Sequence, residues 1–211
     1  MVPSHLIFLV EQPSLEAFLL ALLPRILPDG CTFEVHAFAG KTDMLRKLDS
    51  RLRGYARFLP PHWRILIVVD RDEDDCRELK ARLETSAAAA RLQTRRTAGG
   101  APWQVATRIA VEELESWYFG DWQAVCAAFD RVPTNVIGKE RFRDPDGIRG
   151  GTWEAFEQVL QRYGHFRGGL RKIEAARAVA DHIDVNRCTS RSFQHFCTAV
   201  REAAAGTAAA R

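Results

Sequence analysis

Arg64-Ile65-Leu66-Ile67-Val68-Val69 is an unbroken run of large, mostly branched side chains that stops at Asp70, and it limits the fold more than any other segment. A strand with one wet face alternates apolar and polar residues. A continuous run needs apolar partners on both faces, which a parallel sheet covered by helices supplies. Two other segments match it. His5 to Val10 is a short apolar run closed by Glu11, with Pro13-Ser14 as a turn and a helix predicted over Leu15–Leu27, capped by Ser14. Cys31 to Phe38 alternates in β-favouring residues, and Gly40 opens a helix over Thr42–Arg57. With a helix over Asp75–Ala90 after the third run, three βα units follow one another. They predict an α/β fold with a mainly parallel sheet flanked by helices.

A fourth strand is expected in Leu92–Thr97 or Gln104–Ala110, and helices over Glu112–Phe119 and Trp122–Phe129. Pro133 to Gly151 is rich in Pro, Gly, Asp and Arg and reads as a long loop. Helical patterns resume at Trp153–Arg162, Leu170–His182 and Ser192–Glu202, and Ala203–Arg211 is an alanine-rich end expected to fray. The organisation implied is an α/β core over residues 1–130 and a loop and helical extension over 131–211 packed on it, one domain in all. At 211 residues, 46% hydrophobic and 27% charged, the chain is long enough for that arrangement.

Several classes are excluded. The apolar stretch from Ala17 stops at Pro24-Arg25, short of the ~20 residues of a membrane helix, so no membrane association is expected. The first residues lack the basic segment of a secretory signal, which points to the cytoplasm. Five scattered cysteines with no Cys-x-x-Cys spacing predict reduced thiols. The net charge of +3 names no partner, but only five of the 30 basic residues are lysines. An arginine bias suits phosphate contacts, and equally the codon usage of a GC-rich genome.

Ligands of open α/β sheets bind outside the carboxyl ends of the strands, so the strand-closing residues carry most weight. Glu11 closes the first strand, and Asp70 closes the third with Asp72 two residues on. In extended backbone those two aspartates point the same way. Two unit charges ~4 Å apart repel by about 4 kcal/mol at an effective dielectric near 20, a cost a divalent cation removes. Asp74 and Asp75 are sufficiently explained as the start of a helix. A second cluster is Glu112-Glu113-Leu114-Glu115-Ser116-Trp117. On a helix Glu112 and Glu115 share one face and Glu113 lies on the side of Trp117, so one or two of these acids are candidates for a second metal position.

The order Val10-Glu11-Gln12-Pro13-Ser14, then Asp70-Arg71-Asp72, resembles the Toprim catalytic domain of topoisomerases, primases and small nucleases. Glu112-Glu113-Leu114-Glu115-Ser116-Trp117 with Asp121, Leu170-Arg171-Lys172-Ile173 and Ser190-Arg191-Ser192-Phe193 extend the likeness over nearly the whole chain. Together they are similar to a prokaryotic family of Toprim-like proteins catalogued as a domain of unknown function. In that family's pattern a glycine follows the first acid where this chain has Gln12, and an acid follows Ser14 where it has Leu15. The resemblance implies metal-assisted phosphodiester hydrolysis of DNA or RNA. Asp70 and Asp72 would hold Mg²⁺ or Mn²⁺, and Glu11 would complete the shell or act as general base. Glu113 and Glu115 would serve a second metal, with Lys172 beside the scissile phosphate. It also implies a mobile-element or phage-defence setting with an ATPase partner of the overcoming-lysogenization-defect type, and a possible homo-oligomer.

Arg71, Arg141, Arg143, Arg167 and Arg171 are the candidate nucleic-acid contacts. Cys188, His195, Cys197 and His182 are zinc-ligand types at irregular spacing and read as helix core. Trp103, Trp117, Phe119 and Trp122 could stack on bases, although core packing explains them as well. Two other functions compete with the nuclease. One is a phosphatase of the haloacid dehalogenase type, whose apolar strand also ends in Asp-x-Asp. The other is a non-catalytic adaptor of an ATPase complex.

Overall fold

The computed structural model describes residues 4–205. Its sheet is formed by β1 (His5–Val10), β2 (Thr32–Ala37), β3 (Trp63–Asp70) and β4 (Val105–Ala110), all parallel, in the order β2-β1-β3-β4. Ile65 through Val69 are wholly buried, as an unbroken apolar run in a central strand requires. Of the two candidates for the fourth strand, Gln104–Ala110 forms it. Leu92–Thr97 contributes only an isolated bridge from Thr94 to Val105.

Helices α1 (Pro13–Ile26), α2 (Lys41–Ala56) and α3 (Cys76–Ala89) link the strands. Alternation divides the core: Leu6, Phe8, Val10, Leu66 and Val68 face one layer, and Ile7, Leu9, Ile65, Ile67 and Val69 the other. The second layer is closed by α2 and α3 through Met44, Leu48, Leu52, Leu79 and Leu83. The first holds α1 and everything after β4: α4 (Glu115–Gly120), α5 (Trp122–Ala128), α6 (Thr152–Arg162), α7 (Lys172–Ala180) and α8 (Arg191–Ala205). Helix α7 lies along α1, where Arg25 donates to the Ala180 carbonyl at 2.5 Å. The Pro133–Gly151 stretch is three short 3-10 turns, Thr134–Gly138, Glu140–Phe142 and Pro145–Gly147.

Two local expectations are corrected. Ser14 does not cap α1. The helix starts at Pro13, whose fixed φ suits the first turn, and Gln12 is its N-cap residue without using its side chain for that purpose. The acid-rich helix begins only at Glu115, so Glu112 and Glu113 precede it and share no helical face with it. Asp75 does cap α3, accepting from the N–H groups of Arg77 and Glu78. Ala203–Ala205 continue α8, and the rest of the alanine-rich end lies outside the described residues. Among the described residues, no helix is long and apolar enough to cross a membrane.

The aromatic and sulfur residues serve packing. Trp117, Phe119 and Trp122 are buried, Trp117 stacking on Phe196 and Phe119 on Trp122 and Phe142. Cys188 and Cys197 are buried, and burial pushes each thiol up to about 12. His182 and His195 are exposed, and all five cysteines are free. Two sequence motifs hold each other: the Trp117 indole donates to Ser192 Oγ at 2.9 Å, and Asp146 accepts from Ser190 and Ser192.

Candidate active site

The order of strand addition reverses between β1 and β3, because β1 leads outward to β2 on one side while β3 leads to β4 on the other. In open α/β sheets ligands bind at such a switch point, outside the carboxyl ends of the central strands, and Glu11 and Asp70 are the residues at those ends. By alternation Glu11 continues the face of Ile7 and Leu9, and Asp70 the opposite face of Leu66 and Val68. A hydrogen bond draws them together, with the Asp70 N–H donating to Glu11 Oε2 at 3.0 Å.

Asp70 is 2% exposed. Gln12 Nε2 donates to its Oδ2 at 2.6 Å, while Oδ1 is buried and has no hydrogen-bond partner. Burial, and after it the charges of Glu11, Glu115, Asp72 and Glu113, hold this carboxyl well above the usual carboxylate range. Glu11 is also raised, chiefly by burial, with the Asp70 N–H opposing and Asp72 adding. Gln12, standing where the family pattern has glycine, fixes the orientation of Asp70; nothing in its local sequence signals that long-range contact.

Glu115, the first residue of α4, is likewise 2% exposed, and its Oε2 has no partner. Burial pushes it up to about 7 against the attraction of Lys172, with Glu113 and Glu154 adding to the rise. The Tyr118 hydroxyl is buried and unpartnered too. Burial, then the charges of Glu115 and Asp70, raise it well above the normal phenol range. The ammonium of Lys172 sits 4.5 Å from the Trp153 ring centroid.

Other members of the predicted constellation are employed differently. Asp72 does not follow Asp70 along an extended strand: β3 ends at Asp70, and Asp72 is left-handed at φ 49° with its N–H donating to the Glu112 carbonyl at 2.8 Å. Its side chain faces solvent, where Lys41 Nζ lies 2.7 Å from both Asp72 Oδ2 and Asp74 Oδ2. Burial opposes charge on Lys41, but the bonds to Asp72 and Asp74 outweigh it and its pKa is raised. Arg71 is paired with Glu112. Glu113 is taken up by the start of α6, Oε2 accepting from Thr152 N at 3.0 Å, Thr152 Oγ1 at 2.9 Å and Trp153 N at 2.9 Å. Asp121 is a buried structural acid bound by Arg187.

Arg141, Arg143, Arg167 and Arg171 are exposed. Arg141 lies over Phe142, and Arg171 lies over Phe166 while pairing with Glu174. The structure therefore brings Glu11, Asp70 and Glu115 into one electrostatic neighbourhood, with Asp72 and Glu113 bordering it. Among the described residues, no three His, Cys, Asp or Glu side chains form a ready-made metal cage. Magnesium does not need one. It is usually held by one or two carboxylates and completes its shell with waters and substrate phosphates.

A family model, domain of unknown function DUF4276, matches residues 10–201, and the chain belongs to that family. No curated protein and no solved structure matches it.

Proposed function

We propose that this member of the DUF4276 family is a Mg²⁺- or Mn²⁺-dependent nuclease with a Toprim-like site at the carboxyl edge of its sheet. One observation carries the reading: Asp70 Oδ1 and Glu115 Oε2 are buried carboxylate oxygens with no partner, and the charge of Glu115 opposes ionisation of Asp70. A buried unpaired carboxylate costs several kcal/mol, and a buried acid in such a position is held neutral or serves a cation. The donor set is all oxygen, which suits a hard divalent ion.

In this reading Asp70 and Glu115 would hold the metal, which when bound supplies Lewis-acid polarisation of a phosphoryl oxygen and a more acidic water. Gln12 keeps Asp70 aimed by holding Oδ2, leaving Oδ1 available. Glu11, whose Oε2 is engaged by the Asp70 N–H, would accept the proton of the attacking water at Oε1. Lys172 supplies positive charge beside the phosphate. Asp72 and Glu113 lie at the margin, Asp72 neutralised by Lys41 and Glu113 anchoring α6. The family resemblance extends the proposal to a phage-defence or mobile-element setting with an ATPase partner.

The test is incubation of the purified chain with supercoiled plasmid, single-stranded DNA and RNA in Mg²⁺, Mn²⁺ or EDTA, beside Asp70→Asn and Glu115→Gln. Outer-shell partners of metals are worth 10–100-fold, so loss of a direct ligand is expected to cost about 100-fold or more. Metal-dependent cleavage that disappears in both variants supports the reading. Cleavage unchanged in both, or none on any nucleic acid with either metal, overturns it.

A further inference from the structure

The two edges of the sheet are treated differently by the rest of the molecule. At β4 several outward backbone groups are occupied. Val105 is bridged by the 93–95 segment, with Arg95 N donating to its carbonyl at 2.8 Å and its own N–H donating to Gln93 O at 3.1 Å. The Thr107 carbonyl accepts from both Lys80 Nζ and Arg108 Nη1. Charged side chains laid over an edge are a common way to stop strands adding to it.

At β2, among the described residues, nothing bonds the outward backbone groups, and Glu34 and His36 lie beside each other on one face of the strand, Oε1 to Nε2 3.3 Å. Thr32 and Phe38 donate their N–H groups inward, to Ser4 O and Val10 O. By strand alternation, Phe33, Val35 and Ala37 turn theirs outward. Among the described residues those outward groups have no hydrogen-bond partner, and no strand lies beyond β2 in the sheet. Neither is the α2-facing side of β2 covered. A groove of about 630 Å³ separates Glu34 and His36 from Arg51, Tyr55 and Phe58 of the α2 region, and Phe58 is 62% exposed.

We infer that β2 pairs antiparallel with β2 of a second copy, joining two four-stranded sheets into one across a twofold axis at Val35. The charges on the strand select both the occupant and the register. Centred on Val35, antiparallel pairing sets Val35 opposite itself and Phe33 opposite Ala37 as hydrogen-bonded pairs. Glu34 then faces His36 of the second copy in the closer, non-hydrogen-bonded positions, and the twofold repeats that pair. Sliding by two residues either way sets Glu34 against Glu34 or His36 against His36, which loses both Glu34–His36 pairs and in the first case opposes two carboxylates. The strand is thus complementary to itself in one register. A parallel addition would lack the twofold and leave a further bare edge.

Sedimentation of the full chain at micromolar concentrations tests this, and a weight-average mass of about twice 23.8 kDa is expected. Val35→Pro removes an outward donor without touching a bond to β1, and is expected to give a monomer with the wild-type circular dichroism spectrum. His36→Glu sets glutamates opposite each other and is expected to weaken dimerisation at least tenfold. The double exchange Glu34→His, His36→Glu restores complementarity, so recovery of the dimer is expected. A monomeric wild type leaves the edge to a strand from some other protein and overturns the inference. So does a dimer unaffected by Val35→Pro and His36→Glu, which would have formed through another face.

Discussion

The two halves of the acidic edge hold the same residue types in opposite circumstances. On the α2 side, Asp72 and Asp74 share Lys41, Glu112 has Arg71, and the aspartates are in contact with water. On the α4 side, Asp70 and Glu115 are buried, and one oxygen of each is without a partner. Solvent and a nearby cation make carboxylates cheap on the outer half. The inner pair is shut off from solvent, only Glu115 feels a cation, Lys172, and the charges of Glu11 and Glu115 raise the proton affinity of Asp70. The protein pairs the acids it exposes and leaves an unpartnered oxygen on each of the two it buries here. The sum of the charges would not reveal this, because both halves look equally acidic in sequence.

The sharpest way to break that comparison is to neutralise one acid from each half. Asp70→Asn is expected to abolish cleavage by about 100-fold or more, and Asp72→Asn to cost less than about tenfold, in parallel assays of metal-dependent nuclease activity. Equal losses would show that the halves act as one.

Next in size is pH. Glu115 is pushed up to about 7 from an ordinary 4.5. The folded state therefore holds its proton where the unfolded chain has released it. Its stabilising contribution is complete below about pH 4.5 and is lost as pH rises through about 7, some 3 kcal/mol in all. Denaturant unfolding without metal is expected to show lower stability at about pH 8 than at about pH 5, with a flatter profile in Glu115→Gln. Millimolar Mg²⁺ is expected to restore stability at the higher pH in the wild type and not in Asp70→Asn.

Glu113 tests a structural role at the boundary. It satisfies the first donors of α6, so Glu113→Ala is expected to cost about 1–2 kcal/mol in thermal unfolding. The smallest effect belongs to the outer half. Removing Lys41 as Lys41→Met breaks partly exposed ion pairs worth up to about 1 kcal/mol, or roughly 2–4 °C in Tm for a chain of this length. A larger change would place Lys41 closer to the buried acids than its pairing with Asp72 and Asp74 implies.

Much of the scaffold was legible along the chain. The apolar run before Asp70, the alternation of Cys31–Phe38 and the placement of Glu11 after β1 are local patterns, and each of the first three strands lies within a residue or so of its expected position. The Asp-x-Asp reading misplaced Asp72 because it assumed extended backbone, whereas a left-handed residue ends the strand there. The partner of Glu113 is the start of α6, 39 residues later, a contact that no local pattern announces. Lys41 carried no local signal, and its value comes from the turn that sets the start of α2 beside the end of β3. Gln12 stood out only as a departure from a family pattern; its bond to Asp70 spans 58 positions.

Sequence alone determined the parallel sheet, because side-chain branching and apolar periodicity act within a few residues and need no knowledge of distant partners. It also placed acids where such sheets present their strand ends. Only the tertiary structure decided which of those acids would be buried and which paired with cations, because dielectric and ion pairing depend on every group brought near in space. The resulting division, Asp70 and Glu115 buried and Asp72 and Glu112 paired with Lys41 and Arg71, is a property of how the elements pack and not of any local stretch.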